Sequence, residues 1–317
     1  MAPFKSILLI LILVLNASFL EAWGKVGHVL VAAIAQTGLR PTTLSNVRTL
    51  IGDDVNLESI ANWADEVKYA PAYRFSGALH YVNPYDDEPG TCSLRNGMHC
   101  PGGMCVIGAI TNYTLRLDPT TYPYSFSSTR LSQRVRAEAL RFVVHLVGDV
   151  HQPLHVSGRQ RGGNDAQVRF FSREVNLHEV WDSLLIDRRI ETGFGGDVQA
   201  FLRHLLSLVR IKNNSVTYHG IDRSDSRSGS SSLSSVHLIT SPLSYDEEYE
   251  DDVWAWATET NKENCAVVWM PGFEGTKKGT EYCDSAVKVI ETQLVRAGVR
   301  LSLILNRLLS KKSVHQV

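Results

Sequence analysis

Residues 131–149, LSQRVRAEALRFVVHLVGD, form the stretch that decides the fold class. Within it Leu140, Val143 and Val147 recur at the spacing of one face of an α-helix. Pro153 follows just beyond the run, where a residue that cannot continue a helix is expected. We therefore predict one long amphipathic helix here.

Helical periodicity also dominates the rest of the chain, and the other segments predicted to be helical are 29–37, 176–190 and 284–309. Strand signals are few: residues 80–82 and 167–171 are predicted to form a small ribbon. These patterns predict an all-α, mainly helical protein with at most a small β-ribbon. The length alone would permit two domains.

The first residues have the features of a secretory signal. Lys5 gives a short positive start, and an apolar run from Ile7 to Leu15 follows it. That run is too short to cross a membrane, and no later segment is long enough either. We place cleavage after Ala22, so that residues 1–22 are removed and Trp23 begins the mature chain. The protein is predicted to be secreted, to the cell exterior or to a vacuole.

Size and charge limit the classes of function. A mature chain of about 295 residues can bury one large core. The formal net charge of −1 argues against a broad basic face for duplex nucleic acid. It leaves open short single strands that are held by metal ions and aromatic stacking.

Five cysteines in a secreted chain indicate disulfides with one thiol left over. Three cluster in a Gly-rich loop and two lie far downstream: Cys92, Cys100, Cys105, Cys265 and Cys283. Sequence alone leaves the pairing open. Asn112 and Asn213 each begin a sequence that N-linked glycosylation accepts.

Residues 222–252 break the helical pattern, being first Ser-rich and then acidic. We interpret them as a solvated surface loop inserted in the domain, with a regulatory or partner-binding segment as the alternative. Residues 308–317 are predicted to be a C-terminal tail.

Two pairs of side chains set an imidazole and a carboxylate four residues apart: His145 with Asp149, and His178 with Asp182. On a helix each pair faces one point. Burying such pairs in an apolar stretch without a metal ion would be costly. Side chains of the same kind occur elsewhere, at His28, Asp65, His80 and His155. Because zinc accepts neutral imidazole and ionised carboxylate, this supply predicts several zinc ions and hydrolysis of a phosphate ester.

Other candidate ligands fit less well. His151 is out of phase with Asp149 and His155, so we leave it out of the set. The histidines without a carboxylate at useful spacing are predicted to be packed or surface residues: His99, His204, His219, His237 and His315. Cleavage before Trp23 would create an α-amine that can chelate zinc together with its carbonyl oxygen. The residues alone nevertheless favour a Trp23 that only packs.

The order and spacing of these residues resemble the zinc-dependent class I nucleases of fungi and plants, of the S-one and P-one type. The motifs that carry the resemblance are WGKVGH (23–28), WADE (63–66), LHY (79–81), HLVGD (145–149), QPLH (152–155), GGN (162–164) and NLHEVWD (176–182). The resemblance implies one nuclease domain over residues 23–307, mainly helical, with three zinc ions at the base of a cleft.

The resemblance also implies how the ligands are shared. The first zinc ion would be held by Asp65, His80, His145 and Asp149. The second would be held by His155, His178 and Asp182. The third would be held by His28, by Asp149 as a bridge, and by the amine and carbonyl of Trp23, which reverses the interpretation of that residue.

The implied activity is cleavage of single-stranded DNA and RNA to 5′-mononucleotides, with removal of phosphate from 3′-nucleotides. Asp65 would orient the nucleophile. Lys68 stands where the family has an arginine, and it keeps the charge without the planar fork. We expect a monomer with no stable protein partner and no membrane attachment.

A base-binding pocket beside the metal ions is implied as well. Its aromatic stacker falls on Tyr81, although a core aromatic is the alternative for this residue. Asn83 would read the base edge where the fungal pattern has an acid. Arg161 stands where that pattern has an apolar residue, and Asn164 completes the pocket. Stacking favours single strands because only unpaired bases expose their faces.

The cysteine spacing is also similar to the fungal pattern. It implies Cys92–Cys265 and Cys100–Cys105 bridges and leaves Cys283 unpaired.

Two other functions are weighed against the nuclease. A zinc-dependent phospholipase C shares the fold and the ligand chemistry, but that family usually ends its ligand set with Glu where this chain has Asp182. A non-catalytic, zinc-stabilised binding protein is consistent with the departures at Lys68 and Arg161. The complete ligand set disfavours it.

Overall fold

The computed structural model describes residues 23–85, 91–95, 98–118, 132–212, 215–218, 247–269 and 277–310. The α-helices are α1 (Lys25–Thr37), α2 (Pro41–Ile51), α3 (Leu57–Ile60), α4 (Trp63–Val67), α5 (Val106–Leu117), α6 (Gln133–Asp149), α7 (Leu177–Glu179), α8 (Leu185–Phe194), α9 (Val198–Leu208), α10 (Glu247–Glu263) and α11 (Thr280–Leu309). Short 3₁₀-helices span Pro71–His80, Pro101–Gly103 and Pro153–Val156, and π-helical turns span Val180–Leu184 and Asn264–Val268. The strands are β1 (Gln167–Phe170), β2 (Arg173–Asn176), β3 (Val209–Lys212), β4 (Ser215–Tyr218) and β5 (Lys277–Lys278). The predicted signal segment, Asn213 and residues 222–246 lie outside the described residues.

The predicted all-α, mainly helical fold is confirmed. Helix α6 begins two residues later than predicted, because the side chain of Ser132 accepts a hydrogen bond from the backbone of Val135 and caps the helix. From Ala139 to Asp149 nearly every side chain of α6 is buried. The helix packs against α5 and α11 and forms the centre of the core.

Helices α1 and α11 pack closely against each other. A Cβ added at Gly298 would lie 2.5 Å from Cβ of Ile34, so glycine is what permits this approach. The contact places α1, and with it His28, against the 30-residue helix α11. Both helices begin earlier than predicted, at Lys25 and Thr280.

The helix predicted over 176–190 is not regular. Asn176 ends β2, and its side chain accepts a hydrogen bond from the backbone of Glu179. Helix α7 then passes through the π-helical turn of residues 180–184 into α8. Asp182 lies in this wider turn.

The strand predicted over 80–82 is wrong. His80 ends a 3₁₀-helix, and the backbone after it bonds to two separate segments instead of one neighbouring strand. The amide of Val82 donates to the carbonyl of His155 at 2.8 Å, whereas the carbonyl of Tyr81 accepts from Val106 at 3.0 Å. These bonds place the chain beside the 3₁₀-helix at 153–156 and the start of α5.

The second predicted strand is present as β1, one residue shorter than predicted because Phe171 turns with a φ of 51°. Strand β1 pairs with β2 in antiparallel register, Val168 opposite Val175, and with β5 in parallel. The described residues contain a second small sheet, in which β3 pairs with β4 in antiparallel register.

Two predicted boundaries are corrected. The acidic end of the predicted loop, residues 247–252, belongs to α10. Helix α11 runs to Leu309, so its last two residues lie within the predicted tail. Leu308 and Leu309 are both buried, so they extend the apolar face of α11 into the core.

The structure contains the two disulfides that the resemblance implies. Cys92–Cys265 joins the segment before α5 to the π-helical turn after α10, and Cys100–Cys105 closes a short loop at the start of α5. Cys283 is a buried free thiol. Among the described residues, none of the helices has the length and apolar character that a membrane span requires.

Candidate metal centre

Six segments that are distant in sequence bring the predicted imidazole and carboxylate ligands to one place. His28 comes from α1, Asp65 from α4, and His80 from the end of a 3₁₀-helix. The remaining ligands come from the end of α6, from the 3₁₀-helix at 153–156 and from the helical run that follows β2: His145, Asp149, His155, His178 and Asp182. All eight are buried.

These side chains form three groups, and within each group the ligand atoms lie within 4.8 Å of one another. The groups are His28 with His145 and Asp149, Asp65 with His80 and His145, and His155 with His178 and Asp182. The third group matches the ligand set implied for the second zinc ion. His145 belongs to both of the others, so those two groups adjoin.

Asp149 lies between the groups. Its Oδ1 is 3.3 Å from Nε2 of His28, and its Oδ2 is 3.0 Å from Nδ1 of His80. Its Oδ2 is also 3.4 Å from Nε2 of His145. A carboxylate in this position can serve two neighbouring ions, as the resemblance implies for Asp149.

Backbone carbonyls orient three of the imidazoles. Nδ1 of His145 lies 2.7 Å from the carbonyl oxygen of Ala61, and Nδ1 of His155 lies 2.7 Å from that of His80. Nδ1 of His178 lies 2.6 Å from the carbonyl oxygen of Gly162. Since a carbonyl oxygen only accepts, each Nδ1 carries the proton. Each Nε2 therefore keeps its lone pair free for a metal ion.

The protonation states suit metal ligands. Burial lowers the pKa of His145 to about 3, against the opposing effect of Asp149. Burial likewise lowers the pKa of His155. Burial alone would raise the pKa of Asp149 and of Asp65, but in both cases His145 and other neighbouring imidazoles outweigh it and lower the pKa. His178 differs, because Asp182 outweighs burial and raises the pKa of its imidazole.

Several buried polar atoms of the cluster have no hydrogen-bond partner in the described part of the chain. They are both ring nitrogens of His28, Nε2 of His80, Nε2 of His155 and Oδ1 of Asp149. Buried polar groups are normally satisfied, and an unsatisfied one indicates an ion or water. Neutral imidazoles and ionised carboxylates are the ligands that zinc accepts, so this donor set fits zinc.

Gln152 contacts a predicted ligand, although the sequence indicates no role for it beyond its place in the QPLH motif. Its Nε2 donates to Oδ1 of Asp182 at 2.5 Å, and its Oε1 accepts from the backbone of Leu154 at 2.5 Å. The contact turns the Asp182 carboxylate toward His155 and His178. A polar residue three positions before the predicted ligand His155 was the available signal in the sequence. No such signal marks the carbonyls of Ala61 and Gly162.

Gly148 admits His28 to the cluster. A Cβ at position 148 would lie 2.7 Å from Nδ1 of His28. Trp23 packs beside the same glycine: its ring is fully buried, and its indole nitrogen donates to the carbonyl of Gly148 at 2.9 Å. The packing that the residues alone favoured is therefore present, and the role of the Trp23 amine as a ligand stays a prediction.

A cavity of about 320 Å³ opens above the predicted metal ligands His80, His155 and His178. Its other walls carry all of the residues predicted to contact substrate: Lys68, Tyr81, Asn83, Arg161 and Asn164. Tyr81 is 42 % exposed, so the alternative of a core aromatic is wrong.

The polar groups on the cavity walls are held by their neighbours. Nζ of Lys68 lies 2.7 Å from Oδ1 of Asp65, and this contact outweighs burial and raises the pKa of Lys68. The exposed Arg161 pairs with Asp165 at 3.0 Å, and its carbonyl accepts from Nδ2 of Asn164 at 2.7 Å. Arg161 has a φ of 54° and is followed by two glycines with positive φ, a tight turn that points the Gly162 carbonyl at His178.

The remaining predicted residues lie away from the cluster or outside the description. Nδ1 of His151 lies 2.7 Å from the carbonyl of Val147, and Nε2 lies 2.8 Å from Arg300, which explains why this histidine is not a ligand. His99 and His204 bond to Arg95 and Glu291 respectively. Asn112 is exposed on α5. Glycosylation at Asn112 and Asn213 stays a prediction.

The fold is mainly helical, and buried imidazoles and carboxylates lie together below a cavity. These features are typical of helical proteins that bind several metal ions at one site. Comparison with known proteins defines the family within this class. The family model for S1/P1 Nuclease matches residues 23–310. The chain belongs to the S1/P1 nuclease family, as its motifs predicted, and it is a nuclease.

Similar proteins come from both fungi and a plant. The chain is 30% identical to Nuclease P1 of Penicillium citrinum over 90% of this chain and 97% of that protein. It is 30% identical to Nuclease S1 of Aspergillus oryzae over 94% of this chain and 95% of that protein. It is 31% identical to Endonuclease 1 of Arabidopsis thaliana over 96% of this chain and 93% of that protein.

Proposed function

We propose that this protein is a zinc-dependent endonuclease that hydrolyses single-stranded DNA and RNA to 5′-mononucleotides and removes phosphate from 3′-nucleotides. The observation that carries the proposal is the position of the three buried ligand groups, directly below a cavity with an exposed tyrosine and a lysine on its walls. Zinc ions held by these groups lower the pKa of water and neutralise the charge that develops on a phosphate ester.

The ligand sets of this proposal keep the third group and assign His145, which the other two groups share, to one ion only. Asp65, His80, His145 and Asp149 hold one ion, and His155, His178 and Asp182 hold a second. The third ion is held by His28, Asp149 and the processed Trp23. The distance of 3.3 Å between Nε2 of His28 and Oδ1 of Asp149 supports the third set, in which the Trp23 amine and carbonyl would complete four ligands.

A prediction about the amino terminus separates the third set from the others. Extra residues before Trp23 remove the free amine, so we expect the extended protein to bind one zinc ion fewer and to lose activity. Zinc content and turnover of the extended and the processed protein measure this. The matched control carries the same extension after Val317. A fully active protein with residues before Trp23 would refute the role of its amine.

Residues on the cavity walls, and Asp65 beside Lys68, act on the substrate. Asp65 accepts a hydrogen bond from the attacking water and holds it in line with the phosphorus atom. Lys68 contacts Asp65 and lies within reach of the phosphate oxygens, where its positive charge is stabilising. Arg161 is exposed at the mouth of the cavity and pairs with a phosphate or stacks on a base.

The cavity also accounts for a preference for single strands. Tyr81 presents a ring face on which an unpaired base stacks, and the exposed Asn83 offers both a donor and an acceptor to its edge. Oδ1 of Asn164 is a buried acceptor without a hydrogen-bond partner in the described part of the chain. A paired base in a duplex cannot present its face to Tyr81.

The deciding experiment compares substrates on the mature protein with its zinc. We expect release of acid-soluble nucleotides from single-stranded DNA and RNA, much slower release from duplex DNA, and release of phosphate from 3′-AMP. Vesicles of phosphatidylcholine test the rival function. Release of phosphocholine without nucleotide release would support a phospholipase C, and zinc binding without any turnover would support a binding protein.

We propose further that the protein is secreted and acts as a monomer. Two disulfides, including one between residues 173 positions apart, require an oxidising compartment for their formation. The sequence of the amino terminus of the exported protein tests this directly, and we expect it to begin at Trp23. Light scattering measures the mass of the particle.

A further inference from the structure

Tyr69 is a second exposed aromatic residue on the wall of the cavity. It follows Lys68 in the turn after α4, whereas Tyr81 follows the 3₁₀-helix of residues 71–80. The side chain of Tyr69 is 52 % exposed, which leaves ring surface available to a ligand. Both tyrosines line the same cavity, together with the metal ligands at its base.

Lys68 links the Tyr69 ring to the catalytic groups. Nζ of Lys68 lies 5.5 Å from the centre of the Tyr69 ring and 2.7 Å from Oδ1 of Asp65. A phosphate group beside the Lys68 ammonium therefore lies next to Tyr69. The nucleoside attached to that phosphate is the nearest group that the ring can contact.

The size of the cavity limits what lies inside it. Its volume of about 320 Å³ is at the lower end of the range of ligand pockets, which is about 300–1,000 Å³. It has room for one nucleoside with its phosphate. The next nucleoside of a chain must lie at the mouth, where an exposed tyrosine can stack on its base.

We infer that Tyr69 is a second stacking platform, which receives the nucleoside on the far side of the scissile phosphate from the base on Tyr81. The inference rests on the proposed nuclease function. A 3′-mononucleotide has only the base on the leaving 3′-oxygen, and this base occupies the Tyr81 pocket. A dinucleotide carries a second base beyond the phosphate, which contacts Tyr69. Tyr69 is therefore a specificity-determining residue that favours nucleotide chains over 3′-mononucleotides.

The test measures kcat/KM for the dinucleotide ApA and for 3′-AMP with the mature zinc-containing protein. In Tyr69→Leu the ratio of the two values should fall about tenfold, equivalent to about 1.4 kcal/mol. The ratio should stay at the wild-type value in Tyr69→Phe, because phenylalanine keeps the ring. Since both reactions use the same metal centre, the ratio cancels any general damage to it.

Phe75→Leu is the matched control. Phe75 is 51 % exposed and lies in the same stretch of chain, but it is not among the described residues that line the cavity. Its ratio should equal that of the wild type. An unchanged ratio in Tyr69→Leu, an equal loss of both activities, or an equal effect of Phe75→Leu would overturn the inference. A wild-type protein that cleaves no ApA and no single-stranded DNA would refute the proposed function, and the inference with it.

Discussion

Asp149 is the residue around which the metal centre is organised. Its carboxylate is completely buried, and its oxygens lie close to nitrogens of His28, His80 and His145. A buried charge with no compensation would be strongly destabilising. The imidazoles stabilise it in part, and metal ions bound as proposed would complete the compensation. The residues of the site are therefore mutually dependent, because each buried side chain stabilises the burial of its neighbours.

Asp65→Asn tests the proposed role of the buried Asp65 carboxylate. The change keeps the shape of the side chain and removes its charge, so we expect the fold to persist. Turnover of single-stranded DNA should fall by roughly 10²–10⁴-fold, the usual contribution of a positioned acid or base. Far-ultraviolet circular dichroism checks the fold. The control is Glu66→Gln, since Glu66 is adjacent and exposed. Near-normal turnover would remove Asp65 from the mechanism.

Gln152→Leu tests a residue that acts on the site through Asp182. Loss of the hydrogen bond to Oδ1 leaves the Asp182 carboxylate without its fixed orientation. We expect about 10–100-fold weaker binding of one zinc ion, the usual effect of removing a partner of a metal ligand. Competition with a chromophoric chelator measures the affinity. Gln167→Leu, on an exposed position of β1, should bind zinc as the wild type does. An unchanged affinity would mean that Asp182 is oriented without Gln152.

At the scale of elements, the ligands depend on how helix ends and irregular turns are placed. Asp182 lies in a π-helical turn, and its carbonyl accepts a hydrogen bond from Gly24 at 2.7 Å. This bond ties the turn to the amino-terminal segment beside Trp23. His178 and Asp182 remain together, with Nε2 and Oδ2 3.1 Å apart. Turns of this kind occur often at functional sites because they displace a side chain from the regular helical path.

Gly298→Ala tests the packing of α1 on α11. The added Cβ would lie 2.5 Å from Cβ and Cγ2 of Ile34 and 3.0 Å from the carbonyl of Val31. We expect the free energy of unfolding to fall by about 1–3 kcal/mol, although alanine favours helix more than glycine does. Urea denaturation measures the change. In Gly279→Ala the new Cβ would meet no heavy atom of the described residues within 4 Å, so the stability should change little. Equal effects of the two substitutions would contradict the close approach.

At the scale of the whole molecule, the candidate metal centre joins segments that span about half of the chain. Its predicted ligands run from His28 in α1 to Asp182, and the Cys92–Cys265 disulfide ties the segment before α5 to the π-helical turn after α10. Metal ions that bind only the assembled site stabilise the folded state as a whole.

Removal of zinc should therefore lower the melting temperature as well as abolish activity. Without the ions, the buried lone pairs of His28, His80 and His155 lack partners. We expect a fall of several degrees after treatment with EDTA, measured by differential scanning calorimetry. Return of excess zinc should restore both the melting temperature and the activity. A melting temperature that is the same with and without chelator would contradict a coupling between metal binding and folding.

Much of this protein is readable from local patterns. The apolar spacing over 131–149 predicts α6, and the pairs His145/Asp149 and His178/Asp182 predict ligands on one helical face. These features depend on residues three or four positions apart, which the helix brings together by itself. The motifs from Trp23 onward predict the family, because their residues and their order along the chain can be read directly from the sequence.

Only the tertiary structure decided which distant groups meet. It placed Asp149 between the ligand groups, turned Gln152 onto Asp182, and gave the imidazoles of His145 and His178 carbonyl partners from other segments. It also replaced the predicted strand at 80–82 with single bonds to two separate segments. The physical reason is that such contacts join residues tens of positions apart, where the packing of the whole core, and no local periodicity, determines the neighbour.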